Sequence, residues 1–294
     1  MNRPLIKKVL VPVDFSETST IALDHAVKIA SVYSAEIVML HVDEVSGLST
    51  TLKKMVFNSS TEVKVLAEEV DNRLMKLTNR YKDWDVTISS IKAAGKIYKA
   101  IVETAEEMEI GLIVMGTHGT NGIESFVAGS NTFKVVSSAP CPVISVHADS
   151  GTSDYKHIVL PIDTSKQTRE KVDYAIKLAK TFDATIHVLG VSLAKNDDTV
   201  LFKLNKLVEQ VVKFIEDEGI TCVSEIKSGE NITKLTLKHA HEINADLILI
   251  MTEQEPHITG LFMGPYAQQM INTSHIPVMS VRPVEQDYSM VTPY

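Results

Sequence analysis

Hydrophobic residues along the chain switch repeatedly between two periods. VLVPV (9–13) is a near-continuous apolar run ending at Asp14, the pattern of a parallel strand buried on both faces. Ser16 then offers a helix N-cap, and Ile21, Ala22, Ala26, Ile29 and Ala30 recur at helical spacing. EIVMLHV (36–42) reads as a second strand, and Val63, Leu66, Val70, Leu74 and Leu77 as one face of a long helix. DVTISSI (85–91) alternates as a third strand, and a helix is predicted from Ile97 to Met108, after Gly95. GLIVMG (111–116), a helix from Gly129 to Ser138 and the strand PVISV (142–146) complete the series. Short apolar strands alternating with helices predict right-handed crossovers and a doubly wound parallel sheet. Ligands of such α/β sheets sit beyond the carboxyl ends of the strands, where strand order reverses.

The series is then written a second time. IKKVLVPVDFS (6–16) aligns without a gap with YKHIVLPIDTS (155–165), pairing Asp14 with Asp163. The same offset of 149 carries HAVKIASVYSAEIVMLHV (25–42) onto YAIKLAKTFDATIHVLGV (174–191). LIVMGTHG (112–119) pairs with LILIMTEQ (247–254), and APCPVISV (139–146) with SHIPVMSV (274–281), at an offset of 135. The first copy therefore has a connection 14 residues longer between Val42 and Leu112. The join falls in the polar stretch HADSGTSDY (147–155). The expected organisation is one domain over 1–147, a second over 155–283 and a tail at 284–294.

Composition narrows the function classes. Of 294 residues, 44% are hydrophobic and 22% charged, enough for two buried cores. Lys and Arg total 29 against 37 Asp and Glu, a formal charge of -8. That balance argues against a sequence-blind grip on nucleic acid. Cys141 and Cys222 stand apart in apolar runs, so small buried thiols are expected rather than a disulfide. The apolar run after the basic start ends at Asp14 without a cleavage site, and no stretch approaches the ~20 apolar residues of a membrane helix. A soluble cytoplasmic protein is the expectation.

The fourth strand of the first copy runs directly into GTHGTNGIESFVAGSNT (116–132). A glycine ending a strand, Gly116, lets backbone approach an anion with no Cβ between them. Gly119 lets following N–H groups turn toward the same point as an anion-binding nest. Gly129 and Ser130 then open a helix whose unpaired N–H groups and dipole favour phosphate, with Asn131 and Thr132 as further donors. A Gly-rich surface turn would explain any single pair of these glycines. The whole spacing at a strand's carboxyl end points to phosphate binding.

G-x2-G-x9-G-[ST], with VPVD closing the first strand and the PVD and CPV contexts, resembles the ATP-binding type of the universal stress protein family. The resemblance covers both copies, as a tandem member, and implies a Rossmann-like strand order 3-2-1-4-5 in each. It implies that Pro12, Val13 and Asp14 line a nucleotide site, with Val42 meeting adenine through its backbone. Met115, Gly116, His118 and Gly119 would wrap ribose and phosphates; Gly129, Ser130, Asn131 and Thr132 would hold the phosphate tail. The implied cofactor is ATP, with or without Mg²⁺; no catalytic residue and no metal ligand are assigned. Gly111 stands where the family often shows Asp, with no functional consequence expected. Asp14 has three open roles: a bond to ribose or adenine, a water on Mg²⁺, or a turn-capping bond with Ser16. The resemblance also implies that PVISV and PVMSV pair within one chain, covering two edges, and leaves open a homodimer.

In the second copy Gly116 becomes Met251, Gly119 becomes Gln254 and Ser130 becomes Pro265, with only Gly264 kept. Met251 fills space that backbone needs, Pro265 lacks an N–H, and Glu253 and Glu255 add repulsion. No nucleotide is expected there. His239 and His241 lie two apart on a helix and face different ways, so with His257, His275 and Cys222 they do not make a zinc site. Three function classes follow. The first is an ATP-binding stress-response or signalling protein, non-catalytic or hydrolysing very slowly. The second is an ATP-utilising enzyme of the same fold, but VDFSETST and IDTSKQTR lack the S-G-G-x-D-S or H-x-G-H groups, and AGKIYK is no Walker A loop. The third is a structural pseudo-dimer with incidental nucleotide.

Overall fold

The computed structural model describes residues 6–44, 60–117, 129–151, 154–193, 197–252 and 263–283. The first copy contributes β1 (Lys8–Pro12), α1 (Glu17–Tyr33), β2 (Glu36–Glu44), α2 (Ser60–Arg80), β3 (Ile88–Gly95), α3 (Ile97–Glu107), β4 (Leu112–Gly116), α4 (Ser130–Ser138) and β5 (Val143–Val146). The second follows with β6 (His157–Ile162), a 3₁₀ turn (Lys166–Arg169), α5 (Val172–Phe182), β7 (Thr185–Ser192) and α6 (Asp198–Asp217). It closes with β8 (Cys222–Ser228), α7 (Ile232–Glu242), β9 (Leu247–Met251), α8 (Pro265–Thr273) and β10 (Val278–Val281).

All ten strands form one sheet in the order β3-β2-β1-β4-β5-β10-β9-β6-β7-β8. Each half thus has the order 3-2-1-4-5, parallel throughout, and the halves join where β5 and β10 pair antiparallel. Their register sets Val278 opposite Ser145, Met279 opposite Ile144 and Ser280 opposite Val143. Both strands are fully buried, so each half hides an apolar edge on the other. Ser145 Oγ donates to Val278 O (3.3 Å), His147 Nε2 to Ile271 O (2.8 Å) and Arg282 to Ala139 O (3.2 Å).

Side-chain alternation splits the core into two layers. Val9 and Val11 of β1 pack with α1, α2, α5 and α6 on one face; Leu10 faces α3, α4, α7 and α8 on the other. The repeat extends to helix ends. Ser34 (φ 51°) and Asp183 (φ 50°) both cap their helices in the left-handed conformation, donating to Ala30 O and Ala179 O. The third strand departs from the expected 85–91: β3 starts at Ile88 and runs to Gly95. It pairs residue for residue with β2 from Ile37 to Glu44, so the length of its neighbour sets its span. As an edge strand it is nowhere fully buried, which weakened its hydrophobic signal.

Candidate functional site

At the carboxyl end of the first half, β1 and β4 lie side by side and the strand order reverses between them. Pro12 ends β1. Val13 is 3% exposed; its N–H donates to Leu40 O (2.8 Å), and its carbonyl accepts from His41 Nδ1 (2.7 Å). The chain then turns sharply. Asp14 Oδ1 accepts from Ser16 N (3.0 Å) and Ser16 Oγ (2.6 Å), while Ser16 Oγ in turn caps α1 by accepting from Ser19 N (3.2 Å). Phe15 between them takes φ 65°, a strained setting for a bulky side chain. Its ring is held by His41 (4.8 Å between centroids) and by the Arg73 guanidinium, 4.0 Å over the ring.

On β4, Met115 is buried and Gly116 half-buried. A Cβ on Gly116 would lie 2.9 Å from Thr18 Cβ and 3.1 Å from the Thr18 carbonyl carbon. The first turn of α1 therefore rests on the bare backbone of β4, a fit only glycine allows. Gly129 N donates to Thr117 O (2.7 Å), so the chain leaving at Thr117 returns to the same point to start α4. Gly129 caps α4 without a side-chain bond of the kind a serine or aspartate would supply, and Thr132 N donates to Gly129 O (2.9 Å) in the first turn. Ser130 is exposed and Asn131 half-buried at that end. Thr132 is 2% exposed, and its hydroxyl lies 3.3 Å from the carbonyls of both Gly116 and Thr117, tying helix to strand. Val42, half-buried on β2, flanks the site from the other side of β1. The structure thus brings Pro12, Val13, Asp14, Val42, Met115, Gly116, Gly129, Ser130, Asn131 and Thr132 to one end of the sheet. His118 and Gly119 lie outside the described residues.

The equivalent end of the second half is built from the same plan and filled differently. Asp163 Oδ1 accepts from Ser165 N (3.0 Å) and Ser165 Oγ (2.5 Å), repeating the turn at Asp14. Gly264 N donates to Thr252 O (2.9 Å), repeating the loop closure at Gly129. At the position of Gly116, however, Met251 is 3% exposed and occupies the space on which Thr18 rests in the first half. The helix after β6 starts late. A 3₁₀ turn over Lys166–Arg169 takes its place, and α5 begins at Val172, six residues later than the alignment with α1 requires.

Lys171, at the position of Ala22, lies beside Met251 and is 4% exposed. Burial pushes its ammonium down to about 8, with Asp163 partly opposing. Its Nζ donates to Thr168 Oγ1 over a long 3.3 Å. Pro161, Asp163, Lys171, Val191, Met251 and Tyr266 line a cavity of ≈ 10 Å³, room for about one water. Sequence reasoning identified Met251 and Pro265 but missed Lys171, whose only signal was a lysine standing at the apolar position of Ala22.

Both thiols are free and half-buried, and burial pushes Cys141 up to about 12 and Cys222 up to about 11, so neither is a ready nucleophile. Among the described residues no helix is long and apolar enough to cross a membrane.

Comparison with known proteins places this arrangement. The pattern of the Universal stress protein family matches twice, over residues 5–147 and 154–282. Universal stress protein MJ0531 of Methanocaldococcus jannaschii is 34% identical over 142 residues, covering 48% of this chain and 82% of that protein. Universal stress protein MJ0577 of the same organism is 30% identical over 157 residues, covering 48% of this chain and 95% of that protein. Among solved structures, a universal stress protein from Archaeoglobus fulgidus superposes with a TM-score of 0.73 at 22% identity. That match covers 95% of this chain and 97% of the other, so the two share the whole tandem fold.

Proposed function

The chain belongs to the universal stress protein family, and from that premise we propose that its N-terminal domain (1–147) binds one ATP per chain. The observation carrying this reading is the contrast between Gly116 and Met251 at equivalent strand ends. In the first half backbone is bare at the switch point and α4 opens beside it without a side-chain cap; in the second half side chains fill the same ground. ATP would bring phosphate charge to the N–H groups at the start of α4, where the helix dipole favours it. Gly129, Ser130 and Asn131 would meet the phosphate tail, Gly116 the sugar–phosphate junction, and Pro12, Val13 and Val42 the adenine side. Asp14 already has a structural duty with Ser16, so its share in nucleotide binding is indirect: it holds the turn that shapes the wall of the site. The C-terminal domain (155–283) serves as a retained scaffold that completes the sheet.

The protein acts in this reading as a nucleotide-dependent stress-response component of the cytoplasm. ATP occupancy sets its conformation or partner surface, and no residue at the site is assigned to catalysis. Titration of the purified full chain with ATP by calorimetry, with native mass spectrometry for stoichiometry, tests it. One ATP per chain is expected. Two would overturn the reading of the second half, and none would overturn the whole. Product accumulating at enzymatic rates would overturn the non-catalytic assignment.

A further inference from the structure

Three histidines of the second half gather at the end of the sheet opposite the cavity that Met251 fills. His157 opens β6, and His187 is the third residue of β7. The parallel register sets His187 opposite Val159, so the two imidazoles project diagonally on one face. Nδ1 of His157 lies 3.2 Å from Nε2 of His187, with ring centroids 5.4 Å apart. Behind them His239 of α7, 6% exposed, stands edge-on to His187 at 6.4 Å and fixes the plane of the inner ring. Its own Nδ1 is 3.2 Å from Glu225 Oε2, and Lys227 beyond is paired with Glu225 (3.5 Å) and Glu242 (2.7 Å).

We propose that His157 and His187 form a two-imidazole site for a borderline divalent d-block cation of the Cu²⁺, Ni²⁺ or Zn²⁺ class, with water in its remaining positions. Metal–imidazole bonds of about 2.0–2.1 Å meeting at about 90–110° hold two nitrogens roughly 3.0–3.4 Å apart. The observed 3.2 Å falls inside that range; the two nitrogens now share one proton as a hydrogen bond, and a cation bound between them takes that proton's place, the proton leaving to solvent. Lys227, beyond His239, is paired with its two carboxylates. Among the described residues no three His, Cys, Asp or Glu donors converge on one point. The site is therefore an open, exchangeable one, unlike a closed structural zinc centre. Nitrogen donors exclude Mg²⁺ and Ca²⁺, which separates this cation from any that accompanies ATP.

Cu²⁺ is the sharpest probe, since imidazole sites bind it most strongly among these ions. The untagged full chain is titrated with Cu²⁺ in a glycine-containing buffer that removes weak surface binding, with electron paramagnetic resonance on the loaded protein. One ion per chain with coupling to two nitrogens is expected. His157→Ala and His187→Ala should each weaken binding at least tenfold, and His275→Ala should leave it unchanged. Affinity unaltered in His157→Ala overturns the proposal, as does a spectrum showing fewer than two coupled nitrogens. His157 is exposed, so its variant folds and decides the matter alone should His187→Ala not fold.

Discussion

Gly116 and Met251 end equivalent strands of two domains that share strand order, turn, helix caps and loop closure. Around Gly116 a helix starts at once and rests on bare backbone. Around Met251 the helix start is displaced by six residues, a 3₁₀ turn fills in, and a lysine is drawn into the interior. One side chain thus propagates through packing into a different local chain path, while the fold around it is unchanged. The difference between the two strand ends is one of packing, and the ground beside Met251 is occupied by protein side chains. That makes the second half difficult to convert back by a single change.

The largest expected effect comes from copying the second half into the first. Gly116→Met would put Cβ 2.9 Å from Thr18 and close the backbone approach that phosphate or ribose needs. ATP affinity is expected to fall at least a hundredfold, about 3 kcal/mol, with a stability loss of about 1–3 kcal/mol from overpacking. Calorimetry and thermal denaturation read the two separately. The reciprocal Met251→Gly is expected to lose stability by a cavity of about 2–5 kcal/mol and to gain no ATP binding. ATP binding in that variant would show that Met251 alone closes the site and that Lys171 and Pro265 do not contribute.

Next in size is the buried lysine. Lys171 has its folded value lowered from 10.5 to about 8, so the folded state resists the charge that the unfolded state keeps. Between about pH 8 and 10.5 the unfolded chain binds more protons, and stability rises with pH there; below pH 8 the full penalty applies. A difference of that size corresponds to about 3 kcal/mol, reduced by the lost bond to Thr168 and attraction to Asp163. Lys171→Met is therefore expected to stabilise the protein by about 1–3 kcal/mol at pH 7, with the gain vanishing above pH 10.5. Denaturant melts at pH 7, 9 and 10.5 check it; a loss of stability at pH 7 would show that the ammonium has stronger partners than Thr168.

Much of this was legible before any coordinates. The two periods and the internal repeat implied two doubly wound parallel sheets, and the family resemblance added the order 3-2-1-4-5 in each half and the pairing of the fifth strands, both of which the structure has. Ser16 as N-cap was legible because capping is local chemistry. What escaped depends on contacts between distant segments. The span of β3 is set by β2, and the late start of α5 by Met251, some 80 residues further along the chain. His157 and His187 meet only through the register of β6 and β7, and no spacing in the sequence announces a diagonal pair. Asp163 is kept in the second copy although Gly116 and Gly119 have no glycine counterparts there. The structure supplies the reason: both aspartates hold the same turn, whatever binds beyond it.

That shared turn gives a smaller and more discriminating prediction. Asp14→Asn and Asp163→Asn each weaken a carboxylate that accepts two bonds from serine, and each should cost about 1 kcal/mol. Asp163→Asn is expected to cost about 1 kcal/mol more, because it also removes the anion nearest Lys171. Only Asp14→Asn should alter ATP affinity, by a few-fold at most, through the shape of the wall. A loss beyond a hundredfold would instead place the Asp14 carboxylate in direct contact with the nucleotide.

The smallest effect concerns the segment that joins the halves. His25 of α1 is 2% exposed, with Nδ1 2.7 Å from Tyr155 OH and Nε2 2.8 Å from Gly151 O. A carbonyl can only accept, so Nε2 carries the proton, Nδ1 accepts, and the Tyr155 hydroxyl donates to it. Protonating Nδ1 would reverse the second bond, with the imidazolium donating to the Tyr155 oxygen, and would place a charge in a buried site. Burial holds His25 below 6.5, against the pull of Gly151 O and Asp24, with Lys28 adding to the depression. The unfolded chain takes up a proton near pH 6.5 while the folded one resists. Stability is therefore lost as pH falls from 6.5 toward the lowered folded value, and is unaffected above pH 7. His25→Gln can still donate to one partner and accept from the other, but it does not titrate. Melts at pH 5 and pH 7.5 should show a smaller acid loss in that variant than in the natural chain. Equal losses would mean that the clamp between α1 and the linker does not feel pH.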